Sequence, residues 1–294
     1  MSLHLPKRSR LGRRPPPFRA LLVERGGDDL YEDIKDMEEL DLSMSRKAAI
    51  SRGNKWVLLG SPLKASAREI KKVLRNGKKL KRLTVKSRYA EGQLNLNLLG
   101  SVLRVSRELT YLNAELRSTC MTGSSSFSRG LRAAENLTEL YLDVRKLEGK
   151  KLKDGFAKNK SLLVVHVKTN DVTGRGDLLD GLASNTHMKR FRLEVYTFNR
   201  RPTDAATKAG LDNLIRNNQR LRSLTLSLRF EDDHLERVAL AALPANKSLK
   251  IAQIKPCRPK AHFPGEKDDR EDLLQDLAEG NHTLQTLVFS DSQY

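Results

Sequence analysis

The sequence predicts an α/β solenoid, a horseshoe of about eight irregular repeats with parallel strands on its concave face and helices on its convex face. Three observations predict it. The pattern Leu-x-x-Leu-x-Leu recurs in eight copies whose first positions lie 29, 28, 25, 26, 33, 28 and 35 residues apart, a period that marks one supersecondary unit per repeat. The last three positions of each copy alternate apolar, variable, apolar, as a short strand with one buried face does. Ahead of most copies lies a stretch with apolar residues at helical spacing.

The first copy is Leu80-x-x-Leu83-x-Val85, and the others begin at Leu109, Leu137, Leu162, Met188, Leu221, Leu249 and Leu284. The helical faces are Ile70, Val73 and Leu74; Leu178, Leu179, Leu182 and Ala183; Leu211, Leu214 and Ile215; Val238, Leu240, Ala241 and Leu243; and Leu273, Leu274, Leu277 and Ala278. Asn159, Asn185, Asn218, Asn246 and Asn281 each stand between a helical stretch and a strand. Asn tolerates the left-handed conformation that ends a helix, so each is expected to be a helix stop. This role also accounts for glycosylation-like triplets such as Asn246-Lys-Ser and Asn281-His-Thr.

These residues resemble the leucine-rich repeat proteins of the ribonuclease-inhibitor type, whose repeats pair one strand with one helix, and the resemblance covers residues 62–290. It implies a recognition scaffold that binds a macromolecule through its concave face, as in adaptors and in effectors delivered into host cells. One departure stands out. The family carries an Asn or Cys a few residues after the strand, forming a buried ladder, whereas the matching positions here are mostly Arg, with only Asn170 and Cys257 fitting. Looser turns and irregular curvature are expected.

The residues alternating with the apolar strand positions should face the concave surface. They include Tyr111 and Glu115, Glu139, Tyr141 and Asp143, His166 and Lys168, and Arg190, Arg192 and Glu194. Tyr and Arg are the usual anchors of protein interfaces, so these ten form the candidate partner-binding surface. His166 by itself reads as a surface histidine.

The net charge is +19, and two runs supply most of it: residues 64–88 hold eleven Lys or Arg against one Glu, and residues 145–160 hold seven against two acids. The first run, with Lys71, Lys72, Arg75, Lys78, Lys79, Lys81 and Arg82, is expected to form a positive patch on convex helices. Such a patch suits phosphates of a nucleic acid or an anionic membrane, which makes that class the competing reading. Lys in the last turn of a helix is the plain structural alternative.

Residues 1–45 join a basic block, "KRSRLGRRPPP", to an acidic one, "GGDDLYEDIKDMEELDL", and read as a disordered tail. Residues 46–61, with Trp56, read as a capping segment, and 62–294 as the solenoid. The first 25 residues lack the apolar core of a secretory signal, and no stretch approaches the roughly 20 apolar residues of a membrane span. The expectation is an intracellular protein, cytoplasmic or nuclear, with delivery into a host cell left open. Two cysteines, Cys120 and Cys257, stand far apart and suggest neither a disulfide framework nor a zinc site.

No phosphate-binding loop, metalloprotease helix or nucleophile elbow occurs, and the six histidines do not pair at metal-ligand spacing. Arg175-Gly176-Asp177 matches an adhesive tripeptide, but Asp177 is more simply the acid of a helix start. The expected function is non-catalytic binding of another protein, with no cofactor and no small-molecule substrate. A homodimer through the C-terminal strand edge is a further expectation.

Overall fold

The computed structural model describes residues 39–43, 47–52, 55–60, 80–87, 95–116, 123–195, 205–228, 234–256 and 270–289. Strands are β1 (Glu39–Ser43), β2 (Lys47–Arg52), β3 (Lys55–Gly60), β4 (Arg82–Ser87), β5 (Tyr111–Leu116), β6 (Glu139–Glu148), β7 (Val164–Thr173), β8 (Arg190–Val195), β9 (Ser223–Leu228), β10 (Ile251–Pro256) and β11 (Thr286–Phe289). Helices among the described residues are α1 (Leu96–Val105), α2 (Ser124–Ala133), α3 (Gly149–Lys158), α4 (Arg175–Ala183), α5 (Ala205–Asn217), α6 (His234–Ala242) and α7 (Arg270–Gly280).

All strands among the described residues join one sheet in the order β11-β10-β9-β8-β7-β6-β5-β4-β1-β2-β3. Strands β4 to β11 run parallel in chain order, β1 lies parallel beside β4, and β2 and β3 continue the sheet antiparallel. The chain is therefore a strand–helix repeat solenoid of the leucine-rich-repeat architecture. The register matches equivalent repeat positions, as in Leu83↔Leu112↔Leu140↔Val165↔Phe191↔Leu224↔Ala252↔Leu287. Residues 39–43, from the acidic block, are a strand of this sheet, and the Trp56 segment is β3. Residues 1–38 lie outside the described residues.

The repeat's apolar positions form one continuous core. Leu80, Leu109, Leu137, Leu162, Met188, Leu221 and Leu249 are each at most 1% exposed. Burying a Leu side chain contributes roughly 2 kcal/mol, and each repeat can bury these groups only against its neighbours. Leu287, in the last described strand, and Leu284, just before it, are only partly buried.

The asparagines do something other than stop helices in a left-handed turn. Asn159 and Asn246 have extended backbones, at φ −76°, ψ 124° and φ −86°, ψ 120°. Their side chains lie in the core and tie repeat to repeat. Asn246 Nδ2 donates to Ile215 O and to Asn218 O, while Asn246 Oδ1 accepts from Ser248 N and Leu249 N at 2.8 and 2.7 Å. Asn159, Asn185, Asn218 and Asn281 repeat this arrangement. Each amide bonds a carbonyl at the end of the preceding repeat's helix and holds the turn into the next strand.

The ladder thus lies before the strands rather than after them. Asn170, the post-strand position that fitted the family pattern, is exposed, and Arg145 lies within β6. Strands β6 and β7 run on for ten residues each because Val144, Leu147, Thr169 and Val172 are buried in turn. Cys257 lies outside the described residues.

Helices α1 to α3 exceed the helical faces read from sequence: α1 buries Leu96, Leu98, Leu99, Val102 and Leu103, while the buried sides of α2 and α3 are made partly of Ser and Gly, with Ser124, Ser126, Ser128 and Gly130 on α2 and Gly149 and Gly155 on α3. Strands repeat about every 4.8 Å and helices pack about 8–10 Å apart, which bends the solenoid with its strands inside. The small residues reduce that difference. A Cβ on Gly130 would lie 2.6 Å from Gly100 O, so α1 and α2 touch backbone to backbone.

Candidate functional site

Three rows of side chains cross the strand face. The register runs Arg82↔Tyr111↔Glu139↔Val164↔Arg190 in the first, Thr84↔Asn113↔Tyr141↔His166↔Arg192 in the second, and Glu115↔Asp143↔Lys168↔Glu194 in the third. The ten candidate residues therefore share one surface over β5 to β8.

Within it, contacts run without a gap from β4 to β8. The Arg82 guanidinium sits 3.9 Å from the centre of the Tyr111 ring, a cation–π contact. Tyr111 and Tyr141 have ring centroids 5.4 Å apart, and Tyr141 meets His166 edge-on at 5.9 Å, both within the range of favourable aromatic pairs. The Tyr141 hydroxyl donates to Glu139 Oε2 at 3.3 Å. Burial, followed by the Glu139 charge and this hydrogen bond, raises the Tyr141 phenol above its ordinary value of 10.0, with Arg190 acting in opposition.

Glu194 anchors the far end. Its side chain is 8% exposed and is met by Arg192, by Lys168 at 3.8 Å and by His166 Nε2 at 3.2 Å. A buried carboxylate costs several kcal/mol to desolvate unless cations and hydrogen bonds surround it, so this convergence explains why Glu194 can be buried on an otherwise wet face. His166 is accordingly a half-buried link between Tyr141 and Glu194 rather than a surface histidine. The register that places it beside Tyr141 follows from the repeat alignment, which was the available sequence signal.

Beyond β8 the face carries a single charged position on β9 and β10, Lys255 of β10. Ser223, Thr225 and Ser227 occupy β9, and Ile251 and Gln253 occupy β10, with Ile251 44% exposed.

The basic runs divide differently. Lys71, Lys72, Arg75, Lys78 and Lys79 lie outside the described residues. Arg82 belongs to strand β4 and the aromatic row, not to a convex helix, and Lys81 immediately precedes that strand. On α3, Lys151 pairs with Glu148, Lys158 with Asp154 at 3.5 Å, and Lys153 with Asp180 and Asp177 at 3.2 and 3.6 Å. Acids thus answer much of the positive charge at 145–160. Asp177 stands in the first turn of α4, and Gly176 beside it packs against Ala206 of α5.

No helix among the described residues is long and apolar enough to cross a membrane. No protein-family model matches the chain, and no curated protein sequence matches it. Among solved structures, the chain is similar to one described as the crystal structure of a TLR13–ssRNA13 complex, at 14% identity and a TM-score of 0.19. The match covers 68% of this chain and 36% of that one, so the chain spans about a third of its length.

Proposed function

We propose that this chain is a non-catalytic interaction scaffold of the leucine-rich repeat, ribonuclease-inhibitor-like type, and that it binds another protein through the strand face of β4 to β8. The observation that carries this reading is the continuous chain of contacts from Arg82 through Tyr111, Tyr141 and His166 to Glu194 and Arg192. Rigid aromatic and Arg side chains held by their neighbours lose little freedom on binding, which is what makes such residues interface anchors. Intracellular action and the lack of a cofactor belong to the same reading.

Nucleic-acid or anionic-surface binding through the basic runs is the competing class. The ion pairs of Lys151, Lys153 and Lys158 weaken its α3 half. Affinity capture from a lysate of the source cell, with and without nuclease, separates the two. A nuclease-resistant protein partner lost on combining Tyr141→Ala with Arg192→Ala supports the scaffold, whereas capture abolished by nuclease and indifferent to those substitutions refutes it. Strand β11 pairs only with β10 among the described residues, which supports a homodimer through that edge. A strictly monomeric mass by light scattering would remove it.

A further inference from the structure

The strand face sets the acids of β5 and β6 between cations on β4 (Arg82) and cations on β7 and β8 (Lys168, Arg190 and Arg192). Glu139 on β6 is held in place by the Tyr141 hydroxyl at 3.3 Å, and Asp143 and Glu115 lie four residues farther along β6 and β5, in the third row. Two strands away on β8, Arg190 and Arg192 are exposed. Of these, Arg192 is answered from within the protein by buried Glu194. Glu139 and Arg190 occupy the same row with only Val164 between them. Two strand spacings put their backbone positions about 9.6 Å apart.

We infer that the segment recognised by this face is a bipolar polypeptide, carrying one Lys or Arg over Glu139 and one Asp or Glu over Arg190, about 10 Å apart on one side of the segment. This rests on the binding reading above and specifies its partner. Opposite charges facing each other across an interface select the partner, and like charges reject others. The spacing has a sequence signature. In a polyproline II segment, residues three apart lie on one side and are separated by about 9.3 Å, and in a helix residues seven apart span about 10.5 Å. A cation and a carboxylate should therefore recur three or seven positions apart.

The test is selection of a displayed library of random dodecapeptides on the full chain at physiological salt, followed by measured affinities of the enriched peptides. Enrichment of Lys/Arg paired with Asp/Glu at those spacings is expected. Glu139→Arg should weaken the selected peptides about tenfold and shift a fresh selection toward acidic sequences; Arg190→Glu should weaken them similarly and shift selection toward basic ones. Circular dichroism checks that both variants fold, and Arg190 is exposed, so its variant has no packing to lose.

Peptides that need Tyr141 and Arg192 but lack the charge pair would overturn the bipolar segment and leave the scaffold reading intact. Uniformly acidic peptides, the signature of general attraction to a basic chain, would overturn it also. So would the absence of enrichment, or peptides indifferent to the Tyr141 and Arg192 substitutions. The scaffold reading falls only where whole-partner capture is equally indifferent.

Discussion

Replacing Asn218 by Ala is the most direct test of how the repeats are held together. Asn218 is 2% exposed, and its amide makes four bonds: Nδ2 donates to Leu182 O at 3.3 Å and Asn185 O at 3.0 Å, and Oδ1 accepts from Arg220 N at 3.2 Å and Leu221 N at 3.1 Å. Two of those four groups keep a second partner, because Leu221 N also donates to Asn218 O and Leu182 O also accepts from Asn185 N. Arg220 N and Asn185 O lose theirs. Asn185 O is buried and Arg220 N only partly so; at roughly 1–3 kcal/mol for a buried group left unpaired, the expected loss is about 2 kcal/mol. Urea unfolding followed by circular dichroism measures it. Asn217→Ala, on the neighbouring exposed residue, serves as control and should cost under about 0.5 kcal/mol. Asn218→Asp sharpens the test: a carboxylate preserves the turn acceptor but cannot donate to the two carbonyls, so it should be at least as harmful as Ala. Equal stability of the Asn218→Ala and Asn217→Ala proteins, or tolerance of Asp, would refute the ladder as a stabilising device.

Three other outcomes are expected. Gly130→Ala should destabilise by about 1–3 kcal/mol in the same assay, because the new methyl lies 2.6 Å from Gly100 O and overpacking outweighs the gain of up to about 1 kcal/mol in helix propensity; exposed Ser125→Ala on the same helix should be neutral or stabilising. Titration of phenolate absorbance should show a step above pH 10.0 that Tyr141→Phe removes, and since the folded state holds this proton more tightly, the associated stability is present below that pH and is lost as pH rises past it. Lys153 has its affinity for a proton raised above the ordinary 10.5, first by the hydrogen bond to Asp180 and then by the charges of Asp180 and Asp177. Lys153→Met should therefore cost stability only below that pH, and by no more than about 0.5 kcal/mol because the pair is largely exposed; an undiminished difference at higher pH would count against the ion pair.

Much of the framework was legible because a strand with one buried face writes its period directly into the chain. Leu83, Leu112, Leu140 and their equivalents announce both the strands and their register, and from the register follow the rows in which Tyr111, Tyr141, His166 and Arg192 become neighbours. Helix α2 was hard to read for the opposite reason. Its buried side is Ser124, Ser126, Ser128 and Gly130 with only Phe127 and Leu131 as apolar markers, and small residues mark close approach rather than hydrophobic burial. Asn246 was visible as a punctuation mark, yet a left-handed stop and an extended ladder rung use the same residue type and the same place between helix and strand. What separates them is the carbonyl of Ile215, thirty-one residues earlier, waiting for a donor.

The sequence by itself determined the repeat, the parallel order of the strands and which side chains share the inner face, because these depend on periodicity, a property of neighbours along the chain. Only the tertiary structure decided that Glu194 is buried beneath His166, Lys168 and Arg192, that Arg82 caps the Tyr111 ring, and that the lysines of α3 are answered by Glu148, Asp154, Asp177 and Asp180. Contacts of that kind depend on the burial and the distance between groups brought together from different repeats. Those quantities come into being when the sheet closes its registers and the helices settle at the spacing that their glycines permit.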